Sequence, residues 1–245
     1  MFKRLLILFI ISLFGSSLWP AATAAAVEPA EFHWARTSNP FMLKLGDNLT
    51  DRWDNFLGYA SRVWNESAVL QTVPGQRQRV ENREACPPRM GQVIICNYSY
   101  GRNGWLGLAD VWVIDGSHIL AADVLFNDSY FRYPPFNTRS WKKLVACHEV
   151  GHTLGLEHQD EEFFNLPLGS CMDYTIDPLP NREPNEADFG QLEAVYEHLD
   201  DFSTLGGSFV GLHKSNFMRL AGRPDVTKVR YKFPVKEILS AALSK

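Results

Sequence analysis

The chain has 245 residues, enough for one well-buried domain with an appendage, and its composition is globular at 45% hydrophobic and 21% charged. A formal net charge of −4 lacks the basic surplus of a nucleic-acid binder, so no nucleic-acid partner is expected. The sequence shows no repeat period and no low-complexity tract, which excludes solenoid and fibrous classes.

The first segment reads as a targeting signal. "MFKR" is a positive n-region, "LLILFIISLFGSSLW" an apolar h-region, and "PAATAAAVEP" offers small-residue cleavage sites near Ala24 to Ala26. The run is shorter than the roughly 18–20 residues of a spanning helix, and no later segment is long and apolar enough to span. Residues 1–25 are therefore expected to be a signal peptide, and the mature chain a soluble exported protein, secreted or periplasmic in a Gram-negative host. Loss of Lys3 and Arg4 takes the formal charge from −4 to −6. Cys86, Cys96, Cys147 and Cys171 suit an oxidising compartment and suggest two disulfides among three possible pairings. Cys86–Cys96 is favoured because it closes a short loop. Asn48, Asn65, Asn97 and Asn127 each begin an N-x-S/T sequon.

"PFMLKLGDN" (40–48) predicts a strand. Residues 49–67 place Trp53, Phe56, Leu57, Ala60, Val63 and Trp64 at helical spacing, with Thr50 as the expected cap. That aromatic stripe is read as core. "AVLQTV" (68–73) and "GQVIICNYSY" (91–100) predict two strands, and "GLADVWVID" and "SHILAADVLFN" two more joined at the Asp115–Gly116 turn. "DSYFRYPPFNT" reads as a loop, 139–155 as a second helix and 186–200 as a third, with Pro-, Gly- and Asp-rich chain between them. The order is that of an α+β domain.

"CHEVGHTLGLEH" carries the chemistry. His148 and His152 stand one helical turn apart on one face, where two imidazoles can converge on one zinc ion. Gly155 can end the helix in a left-handed conformation, and His158 can then return as a third ligand. Three neutral imidazoles leave an open position for water, and Glu149 is placed to accept that water's proton.

"HEVGHTLGLEH" with "SCMDY" resembles the metzincin clan of zinc endopeptidases over residues 40–200. The resemblance implies His148, His152 and His158 as zinc ligands and Glu149 as general base. It implies Met172, fourteen residues after His158, as the apolar floor of the site. It implies Tyr174 as a residue near zinc, as in astacin- and serralysin-type members. It also implies a twisted, mostly parallel sheet with an antiparallel edge strand, a backing helix, an active-site helix and a C-terminal helix. "WLGLADVWV" (105–113) would be the edge strand that binds extended substrate, with Leu106, Gly107 and Ala109 as contacts. The Met-turn would bring Cys171 to Cys147, so the second disulfide is expected there.

Gln159 and Asp160 after the third histidine match no single subfamily; the general shape leans toward matrixins or small bacterial-type members. No cysteine precedes Cys86, so a matrixin cysteine switch is not expected. Residues 159–170 should line the pocket past the cut bond, through Phe163, Phe164 and Leu166; Glu161 and Glu162 read as solvated loop acids. His33, His118, His198 and His213 show no ligand-like neighbours and read as structural. The sequence thus predicts a signal (1–25), a zinc endopeptidase domain (27–200) and an extension (201–245) with no assigned role. Zinc is the expected cofactor, protein or peptide the substrate, a separate protein inhibitor a possible partner, and a monomer the expected state. The rival readings are an exported zinc-binding module without catalysis and a zinc amidase of cell-wall peptides.

Overall fold

The computed structural model describes residues 32–77, 83–207 and 222–243. The signal segment and His213 lie outside them. In chain order the elements are β1 (Phe41–Asn48), α1 (Asp54–Trp64, entered through a 3-10 turn at Asp51–Trp53), β2 (Leu70–Pro74), β3 (Gln92–Tyr98), β4 (Trp105–Ile114) and β5 (His118–Asn127). Then come α2 (Asp128–Phe131), α3 (Arg139–Thr153), α4 (Glu186–Val195), β6 (Val226–Pro234) and α5 (Lys236–Leu243).

The architecture is α+β, built on a six-stranded sheet in the order β2-β1-β3-β5-β4-β6. The β1–β2, β1–β3 and β3–β5 pairs are parallel, whereas β4 runs antiparallel to both β5 and β6. The β4–β5 hairpin turns where expected: Asp115 and Gly116 both have positive φ, and Ser117 N–H donates to Ile114 O at 3.2 Å. α1 and α3 pack on one face of the sheet, where Trp53, Phe56, Leu57, Ala60, Val63 and Trp64 are all buried. Trp53 stacks on Phe126 of β5 at 4.1 Å, and Trp64 Nε1–H donates to Cys147 O at 3.0 Å, tying α1 to both the sheet and α3.

Four expectations about elements change. Thr50 makes no side-chain cap; its hydroxyl accepts from Asn97 Nδ2 at 3.0 Å instead. The segment after β5 opens with the short α2, because the Asn127 side chain caps it by accepting from Ser129 N–H. α4 stops at Val195: the Tyr196 hydroxyl donates to Leu154 O at 2.9 Å, and Asp200 N–H to Arg36 O at 2.9 Å. Tyr196 N–H still bonds Leu192 O, but the Asp200 N–H is taken by Arg36 O instead of a helical carbonyl, and Leu199 is left exposed. Finally, β4 is not the edge of the sheet. β6, from the extension for which the sequence suggested no role, covers it along Trp105–Ile114.

The C-terminal end of α3 is buried, so its last carbonyls need partners. Trp34 Nε1–H supplies one by donating to Thr153 O at 2.8 Å, and Tyr196 supplies another at Leu154 O. Gly155 has φ 93°, and a Cβ there would lie 2.1 Å from Phe32 O, so the turn to His158 admits only glycine. Among the described residues no helix is long and apolar enough to cross a membrane.

Candidate metal centre

α3 carries His148 and His152 on its buried face, one turn apart, and the Gly155 turn returns His158 beside them. Each ring is held by its Nδ1. His148 Nδ1 lies 2.7 Å from Cys171 O, His152 Nδ1 2.8 Å from Leu156 O, and His158 Nδ1 2.8 Å from Glu161 Oε1. Carbonyls and carboxylates accept, so each Nδ1 carries the hydrogen and each Nε2 presents a lone pair. The three ligand atoms lie within 4.8 Å of one another, and the Nε2 atoms of His148 and His152 are 3.0 Å apart. Lone pairs that face each other at this distance repel unless a cation lies between them. Burial holds His148 and His152 well below the ordinary histidine pKa and, with help from neighbouring histidines, keeps them neutral. Burial also lowers His158, against the pull of Glu161. The donor set fits a zinc ion with three neutral imidazoles.

Glu149 follows His148 and is fully buried. Neither carboxylate oxygen makes a hydrogen bond, and burial pushes its pKa well above the usual carboxylate range. The Phe233 N–H dipole acts on it in the opposite sense without closing a bond of ordinary geometry. Room for this side chain exists because residue 107 of β4 is glycine: a Cβ there would lie 2.3 Å from Glu149 Oε1.

The turn beneath the helix is fixed on several sides. Cys147 and Cys171 are disulfide-bonded, as are Cys86 and Cys96. Met172 lies under α3, where a Cβ on Gly151 would be 2.4 Å from its Sδ. Ser170 Oγ donates to Asp188 Oδ2 at 2.7 Å, and Gln159 Nε2 donates to Asp188 Oδ1 at 2.7 Å. Asp188 also completes the capping box of α4 with Asn185, so the start of α4 anchors both the turn around Met172 and the segment after His158. Tyr174 lies with its ring 4.4 Å from that of His158, and burial raises its pKa.

The groove beside the three histidines is filled by β6. Tyr231 stacks on His152 at 4.0 Å, and its hydroxyl donates to Glu157 Oε1 at 2.6 Å. Phe233 is fully buried, with ring centroids 4.7 Å from His148, 5.3 Å from Tyr174, 6.3 Å from Trp141 and 6.4 Å from Phe163. The Tyr174 hydroxyl donates to Lys232 O at 2.8 Å. Leu106 and Ala109 of β4 are buried in the core, while Gly107 lies opposite Phe233.

No family model and no curated protein matches this sequence. Solved structures do. Two structures of myroilysin are similar to it at 12% identity, with TM-scores of 0.36 and 0.35, covering 67% and 71% of this chain and 96% and 94% of theirs. High choriolytic enzyme 1, a hatching enzyme zinc-protease from Oryzias latipes (medaka fish), is similar at 13% identity and a TM-score of 0.37, covering 71% of this chain and 99% of its own.

Several side chains act differently from their sequence reading. Glu161 is not a loop acid without a partner; it orients His158, and its place three residues after that histidine was the available signal. Phe163 packs against Tyr174 at 4.9 Å, and the exposed Phe164 lines a cavity with Phe163, Glu161 and Pro234, whereas Leu166 points away into solvent. Three of the four sequon asparagines (Asn48, Asn97 and Asn127) are buried, and only Asn65 is exposed. His33, His118 and His198 are not isolated but meet around Asp200. Tyr231 and Phe233 were missed, although "TKVRYKF" alternates charged and apolar residues from Lys228 to Phe233, the period of a half-buried strand.

Proposed function

We propose that this chain is a zinc-dependent endopeptidase. The observation that supports it most is the joint placement of three converging imidazole Nε2 atoms, a buried uncommitted carboxylate at Glu149, and an extended peptide strand in the groove beside them. Zinc held by His148, His152 and His158 supplies a Lewis acid toward a carbonyl and lowers the pKa of water. Glu149 takes the proton of the attacking water and returns it to the leaving nitrogen. The Tyr174 hydroxyl donates to the carbonyl oxygen as charge develops there, the role its bond to Lys232 O rehearses. Gly107 and the rest of β4 orient substrate by main-chain pairing, and the Phe233 pocket takes a side chain just past the cut bond. The signal-like start and the two disulfides support an exported location.

The site argues for an enzyme over a zinc-binding module: a fully buried carboxylate without a partner costs stability and adds nothing to metal retention. The test is cleavage of a mixed library of unstructured peptides by the chain and by its Phe233→Asp form, which empties the pocket. Chelator-sensitive cuts that disappear on adding Glu149→Gln, with one zinc retained at the three-histidine site, are the expected result. A zinc-loaded site that cuts nothing in either form overturns the reading.

A further inference from the structure

We propose that Val226–Pro234 is a substrate-like occupant of the groove, which keeps the centre closed until this strand leaves β4; this rests on the peptidase reading above. β6 pairs antiparallel with β4 through nine residues, with Phe233 opposite Gly107 and Arg230 opposite Asp110. The Lys232–Phe233 step lies beside the histidines: the Lys232 carbonyl oxygen accepts from Tyr174, the Phe233 ring is 4.7 Å from that of His148, and Phe233 pairs with Gly107, the residue packed against Glu149. The strand is held on both faces. On the helix side Tyr231 stacks on His152, and Phe233, fully buried, meets His148 edge to face. On the opposite face Arg230 grips Asp110 through two bonds of 2.6 and 2.7 Å, and Lys228 pairs with the same carboxylate. Asp110 pairs directly with the buried Asp123 of β5, so without Arg230 and Lys228 two acids stand side by side.

The occupant also reports the substrate class: extended segments with a large aromatic side chain just after the reacting bond and a basic side chain three residues before that aromatic. Hydrolysis in this register adds water across the Lys232–Phe233 C–N bond, leaving a carboxylate on Lys232 and an amine on Phe233. The experiment uses the full zinc-loaded chain, Phe233→Asp, and Arg230→Glu, which repels Asp110 without touching the pocket. Amide hydrogen exchange across residues 105–114 and the cutting rate of a peptide of sequence VTKVRYKFP are both read. Both variants are expected to raise β4 exchange and cutting at least tenfold over wild type, and any cut in the peptide, or within 226–234 of the Arg230→Glu chain, is expected at Lys–Phe. Equal cutting and equal β4 exchange in all three forms overturns the proposal, as does a cut elsewhere within 226–234. Failure of the peptidase reading looks different: β4 exchange rises in the variants while nothing is cut.

A second observation, independent of the first, concerns the far end of the sheet. We infer that His33, His198 and Asp200, with His118 beside them, form a second site for a zinc-class divalent cation. Asp200 Oδ1 lies 3.3, 3.4 and 3.7 Å from the Nε2 atoms of His33, His118 and His198. His33 and His198 bring their Nε2 atoms to 3.1 Å. Ligand atoms of a tetrahedron with bonds near 2.0–2.1 Å lie about 3.3–3.4 Å apart, so these spacings need little adjustment. The other oxygen of Asp200 accepts from Arg36 N and Nη1 at 3.0 and 3.1 Å, which fixes the carboxylate and leaves Oδ1 facing the rings. The three groups that converge are His33, His198 and Asp200, and His118 adjoins them at Asp200 Oδ1; three protein ligands leave one position for water. The ion would clasp the segment before β1 to the chain after α4. Zinc per chain, measured after dialysis against buffered micromolar zinc, is expected to be two in wild type. It should be one in His198→Ala with cutting unchanged within twofold, and one in His148→Ala/His152→Ala. One zinc in wild type, or two in both His198→Ala and His33→Ala, overturns the second site.

Discussion

Replacing Gly107 by alanine tests how closely Glu149 is fitted to β4. The new Cβ would lie 2.3 Å from Glu149 Oε1 and 2.6 Å from both Glu149 Cγ and Val145 Cγ1. Ordinary contact begins near 3.4 Å, so the carboxylate must retreat by about 1 Å (3.4 − 2.3). Glu149 and Val145 are fully buried, and Phe233 closes the other side, so the retreat displaces packed neighbours. Overpacking of this kind costs about 1–3 kcal/mol. Removing a strand glycine returns roughly 0.5–1 kcal/mol of backbone entropy, which leaves a net loss of about 0–2.5 kcal/mol. Catalysis should suffer more, because misplacing a reacting group by 1 Å costs on the order of a hundredfold. Urea unfolding and peptide cleavage are measured in the Phe233→Asp background, with zinc content checked and Gly58→Ala as control. Gly58 is exposed on α1 with nothing within 4 Å, so that change should stabilise by up to about 1 kcal/mol. Cutting by Gly107→Ala within threefold of its parent refutes the fit.

Three further predictions concern the supports of the site. Replacing Cys147 and Cys171 by serine opens a link across 24 residues and should cost about 3 kcal/mol of stability by urea unfolding; because Cys171 O holds His148, zinc affinity should fall as well. An unchanged zinc Kd in that variant would show that the clamp does not position the ligand. Glu161→Ala should weaken zinc about 10–100-fold through loss of the His158 partner while leaving stability near wild type, since Glu161 is itself exposed; equal zinc Kd values refute this. Asp123 is raised well above the ordinary carboxylate range, first by burial and then by Asp110. The native state keeps that proton after the unfolded chain has lost its own near pH 4, so stability falls as pH rises from there to the raised native value. Asp123→Asn should flatten this slope in urea midpoints taken from pH 4 to 9, and an identical slope in both proteins sinks the assignment.

The zinc motif was legible because its geometry is local. Four residues of helix fix His148 against His152, and a positive-φ glycine reverses the chain within reach of His158, so the spacing alone encodes most of the convergence. The cysteine count, the buried stripe of α1 and the Asp115–Gly116 hairpin were legible for the same reason: each depends on neighbours a few residues away. Other features join distant parts of the chain, and no local pattern specifies them. The alternation from Lys228 to Phe233 announces a strand but not its partner; only the exposed backbone of β4 and the pocket beside Glu149 select the groove as its place. His33, His118 and His198 carry no spacing signal, because three separate segments meet there through the backbone pairing of His33 with His118 and the bonds between Arg36 and Asp200. Sequence determined the chemistry of the three-histidine centre, where the direction of His148 and His152 follows from helical pitch. Tertiary structure decided what lies against it, because strand register and sheet order are set by which buried faces and backbone groups find partners across the whole chain.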